Sequence, residues 1–139
     1  AGDLLPEMIR YTASLKMSSR FHFTGFVKSG EVDHLWNVSN VYVMPSVSEP
    51  FGISALEAIH SGVPVILSKQ SGAAEVVADA IKVDFWDTDA LADAICNVLA
   101  HRSLSHQLKK KSRQSIRSIT WKAAATQVNT LYHEVIAQH

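Results

Sequence analysis

Short apolar runs alternate with longer amphipathic stretches along most of the chain. Leu4, Leu5, Met8, Ile9 and Leu15 recur at three- and four-residue spacing after Asp3, which predicts a helix capped by Asp3, with Pro6 tolerated in its first turn. Residues 21–27 are a strand candidate, closed by Gly25 and the turn of Lys28, Ser29 and Gly30. Val32, Leu35 and Trp36 predict a short helix over 31–38. Residues 41–44 are apolar at nearly every position, as in a strand covered on both faces, and Pro45 ends them. A helix over 55–60 stopped at Gly62, a strand over 63–67, a helix over 71–78 and a weaker strand over 81–85 follow. Three helices, at 88–99, 103–116 and 121–136, complete the chain; the last carries a stripe of Trp121, Ala124, Ala125, Val128, Leu131, Tyr132 and Val135.

A short apolar strand, a loop and a helix therefore repeat. Parallel strands need such crossovers, so the fold class is α/β, a Rossmann-like parallel sheet with helices on both sides. The length of 139 residues is that of one domain. Only about four strands are countable, and the chain opens at a helix; an earlier strand is expected, with the N-terminus a cut through a larger domain.

Composition removes several functions. Thirteen basic residues balance thirteen acidic ones, so no general basic field supports a nucleic-acid partner. Lys109, Lys110, Lys111 and Arg113 form a local basic run without interleaved aromatics, read as a solvated helix face. Cys96 is the single cysteine, which rules out an intrachain disulfide framework, and its apolar neighbours predict a buried thiol. No apolar run approaches the roughly 20 residues of a membrane span, and the cytoplasm is the expected location. The histidines (His22, His34, His60, His101, His106, His133 and His139) lack metal-ligand spacing, and Asp84, Asp87 and Asp89 read as loop and cap residues, so no metal is expected.

The chemistry concentrates where strands lead into helices, since open α/β sheets bind ligands beyond the carboxyl ends of their strands. The stretch from Pro45 to Glu57 leaves one strand and enters a helix near Gly52, Ile53 and Ser54, whose amides are free to receive phosphate or sugar oxygens. Glu49 and Glu57 can offer two carboxylates to one polyhydroxyl ligand. A structural reading stands beside this one: Ser54 and Glu57 have capping-box spacing, and Glu49 is then an exposed loop carboxylate. A second loop, through Lys69, Ser71 and Gly72, follows the next strand and offers a cation and a helix start as a phosphate loop. Neither a Walker-type phosphate loop nor a dinucleotide fingerprint is present.

The passage EPFGISALEAIHSGVPVILSKQSGAAEV, with seven residues between Glu49 and Glu57, resembles the donor-binding half of retaining glycosyltransferases of the two-Rossmann-domain (GT-B, family 4-like) type. That group includes glycogen synthase-like and sucrose synthase-like enzymes. FHFTGFV, VSNVYVMPS, DFWDTDALADAI and TWKAAATQVNTLYHEVI extend the resemblance over nearly the whole chain. It implies that residues 1–139 are a donor nucleotide-sugar-binding domain, a C-terminal piece of a larger enzyme. By the same likeness Glu49 is catalytic beside the transferred sugar, and Glu57 holds the ribose. Phe51, Gly52, Ile53 and Ser54 then meet the donor sugar and diphosphate. The implied partner is a nucleotide diphosphosugar, with an unidentified acceptor held by a missing N-terminal domain. That domain would also make any contact with the inner membrane face. No cofactor and no metal are implied. The Arg and Lys with which the family clamps the diphosphate belong to a segment upstream of residue 1, and SGAAE stands where many relatives have a second glycine. A nucleotide-sugar epimerase-like enzyme and a non-catalytic interaction domain are the alternatives.

Overall fold

The computed structural model describes residues 2–137, the Ser29 side chain excepted. By internal packing the chain divides after Leu35 into two units. The first contains helix α1 (Leu5–Ser14), a single 3-10 turn at Ser18–Arg20 and the start of helix α2 (Ser29–Val38). The second contains strand β1 (Tyr42–Met44), helix α3 (Ile53–His60), strand β2 (Val65–Ser68), helix α4 (Gly72–Val76), strand β3 (Ile81–Val83) and helices α5 (Thr88–Ala100), α6 (Arg102–Ser115) and α7 (Trp121–Ala137).

The sheet is parallel, in the order β1-β2-β3. Its central strand is buried at every position. Val65 and Leu67 face one side and pack with Met44, Ala55, Ala58, Ile59, Ala73 and Val77. Ile66 faces the other and packs with Val83, Ala94, Val98 and Leu108. Alternation of side chains along β2 thus feeds two cores, with α3 and α4 covering one face and α5 the other. Helix α6 also packs on both α5 and α3. Near its end Ser115 Oγ donates to Asp79 Oδ2 at 2.8 Å. Asp87 caps α5, accepting from the Ala90 amide at 2.9 Å, as its sequence position suggests.

Several expectations need correction. Residues 21–27 form no strand: Phe21 has extended backbone, yet no neighbouring strand supplies a ladder, and Phe26 is 91% exposed. The described sheet therefore has three strands rather than four. Asp3 does not cap α1, whose N-cap is Leu4. With Asp3 as cap, the third helical position would be Pro6, which has no amide proton to offer. Helix α4 spans only five residues, stopping before the predicted limit at Ala78. Cys96 is exposed, because the buried face of α5 runs through Ala94 and Val98 and turns Cys96 outward. Helix α7 has no buried residue, and its apolar stripe, Trp121 at 88% included, is open. Among the described residues no helix is long and apolar enough to cross a membrane.

Two side chains calibrate this division between core and surface. Ile66→Ala removes a fully buried side chain from the central strand and is expected to cost about 2–5 kcal/mol, whereas Phe26→Ala is expected to change stability by less than about 0.5 kcal/mol. Chemical denaturation of the two variants checks both values.

Candidate functional site

All three strands run the same way, so the loops after β1, β2 and β3 leave from one edge of the sheet. The first, residues 45–52, turns into α3 through Gly52, whose φ of +82° is a left-handed conformation that L side chains adopt only with strain. Space favours the same choice more weakly, since a Cβ on Gly52 would lie 2.8 Å from Met44 Cε, the end of a flexible side chain, and 3.0 Å from Ala73 Cβ. Glu49 folds back over this turn. Its Oε1 accepts from the amide of Gly52 at 3.1 Å and, more weakly, from that of Phe51 at 3.4 Å. The Ala55 amide donates to Gly52 O at 3.0 Å, leaving the amides of Ile53 and Ser54 at the helix start without an intrahelical acceptor.

Ser54 is not a cap. It lies inside α3, and its hydroxyl shares a 2.8 Å hydrogen bond with the hydroxyl of Tyr42 on β1. Trp36 meets the Tyr42 ring edge-on at 5.2 Å between centroids. The capping box suggested by the Ser54–Glu57 spacing therefore does not form. Glu57 is exposed; its backbone carbonyl accepts from the Ser61 amide at 3.0 Å, and among the described residues its carboxylate engages no hydrogen-bond or ion-pair partner. It lies one turn beyond Ile53 on the solvent side of the helix, opposite the buried Ala55, Ala58 and Ile59.

The second loop is bound tightly to the first. Ser68 Oγ donates to Ser46 O at 2.6 Å, and the Gly72 amide donates to Glu49 O at 2.8 Å. Glu49 and Ser71 pair as an isolated parallel bridge. Gly72 permits this approach, because a Cβ there would stand 2.1 Å from Pro50 O. The predicted phosphate-loop residues thus have other occupations. Ser71 is buried and donates its hydroxyl to Ser68 O at 2.8 Å, and the Gly72 amide is committed to Glu49. Lys69 Nζ lies 2.7 Å from Asp84 Oδ2, in the third loop. Gln70 Nε2 reaches the other oxygen of Asp84 at 3.1 Å. The hydrogen bond from Lys69, then that from Gln70, hold the Asp84 carboxyl below its ordinary value of 3.8 against the opposing effect of burial, with the lysine charge a lesser contribution in the same direction.

Tyr42 and Asp84 escaped the sequence reading as members of this edge; Ser46 and Ser68 were placed in its loops, but not the hydrogen bond between them. The only signal for Asp84 was its place directly after β3, matching that of Lys69 after β2, and this needs the strand register to be seen. A concavity along α1, lined by Glu7, Met8, Arg10, Tyr11 and Ser14, includes none of the loop residues. Among the described residues, which exclude His139, no group of three histidine, cysteine or carboxylate side chains is placed to hold a metal ion.

Comparison with known proteins agrees with the fold. Residues 1–115 match the family described as glycosyl transferases group 1. The chain is 29% identical over 136 residues to D-inositol 3-phosphate glycosyltransferase of Corynebacterium glutamicum, covering 95% of this chain and 32% of that protein. It superposes on sucrose-phosphate synthase from Thermosynechococcus elongatus with a TM-score of 0.83 at 30% identity, covering 96% of this chain and 35% of that one. Anabaena HepE, solved in complex with UDP and glucose, shares the fold with a TM-score of 0.78 at 21% identity, covering 99% of this chain and 37% of that one. The Rossmann-like sheet matches the C-terminal domains of GT-B glycosyltransferases, and the chain spans about a third of the length of these relatives.

Two outcomes test the geometry of the edge. Gly72→Ala forces the first two loops apart and is expected to cost about 1–3 kcal/mol in chemical denaturation, as overpacking does. Acid acts on the third loop. The folded-state pKa of Asp84 is depressed, so its contribution is present above 3.8 and is lost as pH falls from 3.8 through the lowered value. The stability gap between the natural chain and Asp84→Asn is therefore expected to close over that acid range, as followed by denaturation at stepped pH.

Proposed function

Because the chain belongs to the group 1 glycosyl transferases, we propose that it is the donor-binding half of a retaining glycosyltransferase that moves a sugar from a nucleotide diphosphosugar to an acceptor hydroxyl. The observation that carries this reading is the turn from β1 into α3. There a carboxylate and a helix start with two uncommitted amides share one corner of the sheet edge, and Glu57 stands unengaged one turn further on. The bond between the anomeric carbon and the diphosphate oxygen breaks, the acceptor oxygen takes its place with loss of its proton, and the nucleoside diphosphate leaves with both bonding electrons. Charge grows on the leaving oxygen. The amides of Ile53 and Ser54, at the positive end of α3, suit that charge. Glu49 lies beside the transferred sugar, and Glu57 accepts from the ribose hydroxyls. UDP and glucose in the Anabaena neighbour's structure support a nucleotide-sugar ligand for this fold. The acceptor side is assigned to the part of the enzyme that corresponds to the remaining two thirds of the relatives' length. Lys69, Ser71 and Gly72 are given a lesser part in this reading than their positions in the sequence suggest, since all three already have protein partners.

The hydrogen bonds of Glu49 divide the roles of the two glutamates. Its carboxylate already sits on the Phe51 and Gly52 amides, so donor oxygens compete with it there. Removing it costs rate without weakening donor binding. Glu49→Ala in the full-length enzyme is expected to lower kcat by about a hundredfold or more with donor KM unchanged or reduced. Glu57→Ala is expected to raise donor KM by about tenfold or more with a smaller change in kcat, as loss of hydrogen bonds to a charged group does. Steady-state kinetics with UDP-, ADP- and GDP-sugars checks both. A pure donor-binding defect in Glu49→Ala would reject the assignment, and epimerised sugar without acceptor dependence would reject transfer.

A further inference from the structure

Lys69 and Asp84 are the first residues past the last paired positions of adjacent strands, since Ser68 pairs with Val83. The Lys69 amide continues the ladder, donating to Val83 O at 2.8 Å. Two consecutive side chains, Lys69 and Gln70, then take the two oxygens of the one Asp84 carboxylate at 2.7 and 3.1 Å. Such a fork fixes the carboxylate and the backbone of residues 69–70 together. On either side of this fork the chain grips the Glu49 loop, by Ser68 to Ser46 before it and by Gly72 to Glu49 after it, with Gly72 seated against Pro50. The path from Asp84 to Glu49 therefore runs through the side-chain bonds to Lys69 and Gln70, along the covalent chain to Gly72, and across the Gly72 amide to Glu49 O.

We propose that Asp84 is a positioning residue for the Glu49 turn, acting through Lys69 and Gln70 on the segment 69–72. The proposal rests on the donor-site reading for its effect on activity, but not for its effect on the loop. It also gives Lys69 a role different from that of a phosphate ligand. A lysine reserved for phosphate would gain from losing Asp84, whereas a lysine used as a tether loses with it. The side chains of Lys69 and Asp84 are 53% and 28% exposed, so solvent screens the pair and its effect is modest.

The test uses the full-length protein with Asp84→Asn, Lys69→Met and the double charge swap Lys69→Asp/Asp84→Lys. Hydrogen exchange at the amides of Gly52 and Gly72 is measured first, then kcat and donor KM with whichever of UDP-, ADP- or GDP-glucose the natural protein uses. Both single variants are expected to speed exchange at the two glycines by about two- to fivefold and to lower kcat to a similar extent, with donor KM changed less. The swap is expected to recover part of both losses. Faster exchange confined to residues 69–70 and 84–87 would overturn the proposal, as would failure of the swap to recover anything. Weaker donor binding in Lys69→Met together with tighter binding in Asp84→Asn would also overturn it, by making Lys69 a ligand. If the natural protein uses none of the three nucleotide sugars, the donor reading fails by itself, and exchange at Gly52 and Gly72 alone decides the positioning role.

Discussion

Burial of β2 on both faces is the constraint from which the second unit is built. Val65, Ile66, Leu67 and Ser68 have no appreciable exposure, so their backbone groups must be paired on both sides and their side chains covered above and below. Parallel neighbours on each edge meet the first demand, and crossover helices meet the second. Once the strands are parallel, every strand-to-helix loop falls at the same edge. The chemistry of Glu49, Glu57, Lys69 and Asp84 is collected there by topology rather than by nearness in sequence.

The loops at that edge are shaped as much by what they exclude as by what they bond. Gly52 and Gly72 occupy positions where a single added carbon would meet Met44 or the Pro50 carbonyl. Their smallness lets α3 begin close under the β1 loop and lets the β2 loop close against it. Serines satisfy the polar groups that this closeness buries: Ser68 serves Ser46 O, Ser71 serves Ser68 O, and Ser54 meets Tyr42. Among the described residues no buried side-chain polar atom lacks a partner.

The first two strands were legible as short, nearly continuous apolar runs closed by Pro45 and by Gly62 and Ser68, whereas residues 81–85, interrupted by Lys82 and Asp84, gave a weaker signal. Residues 41–44 and 81–85 contain the observed β1 and β3, and 63–67 overlaps β2, which runs one residue further to Ser68. The strand expected at 21–27 shows the limit of that signal, since a pattern cannot reveal whether a partner ladder exists. Helix α7 shows the same limit in another form: a strong apolar stripe states that a face seeks cover without naming the cover. Cys96 was misplaced because apolar neighbours in sequence are not neighbours on a helix face. At the site, Glu49 and Glu57 were visible as residues. Their contrasting engagement was not, because it depends on where α3 begins: an N-cap at Gly52 rather than Ser54, two residues earlier, separates a free carboxylate from a capping box. The pairing of Lys69 with Asp84, residues 15 apart in sequence, follows from strand register and could not be seen before it.

The central claim is that the carboxyl edge at the β1–α3 turn receives a nucleotide sugar. Amide chemical shifts of the protein, titrated with UDP-, ADP- and GDP-glucose in turn, test it most directly. Saturable shifts are expected for one of the three at Gly52, Ile53 and Ser54, extending to Glu57. Saturable shifts confined to α1 around Glu7, Met8 and Tyr11, with residues 45–57 unmoved, would contradict it.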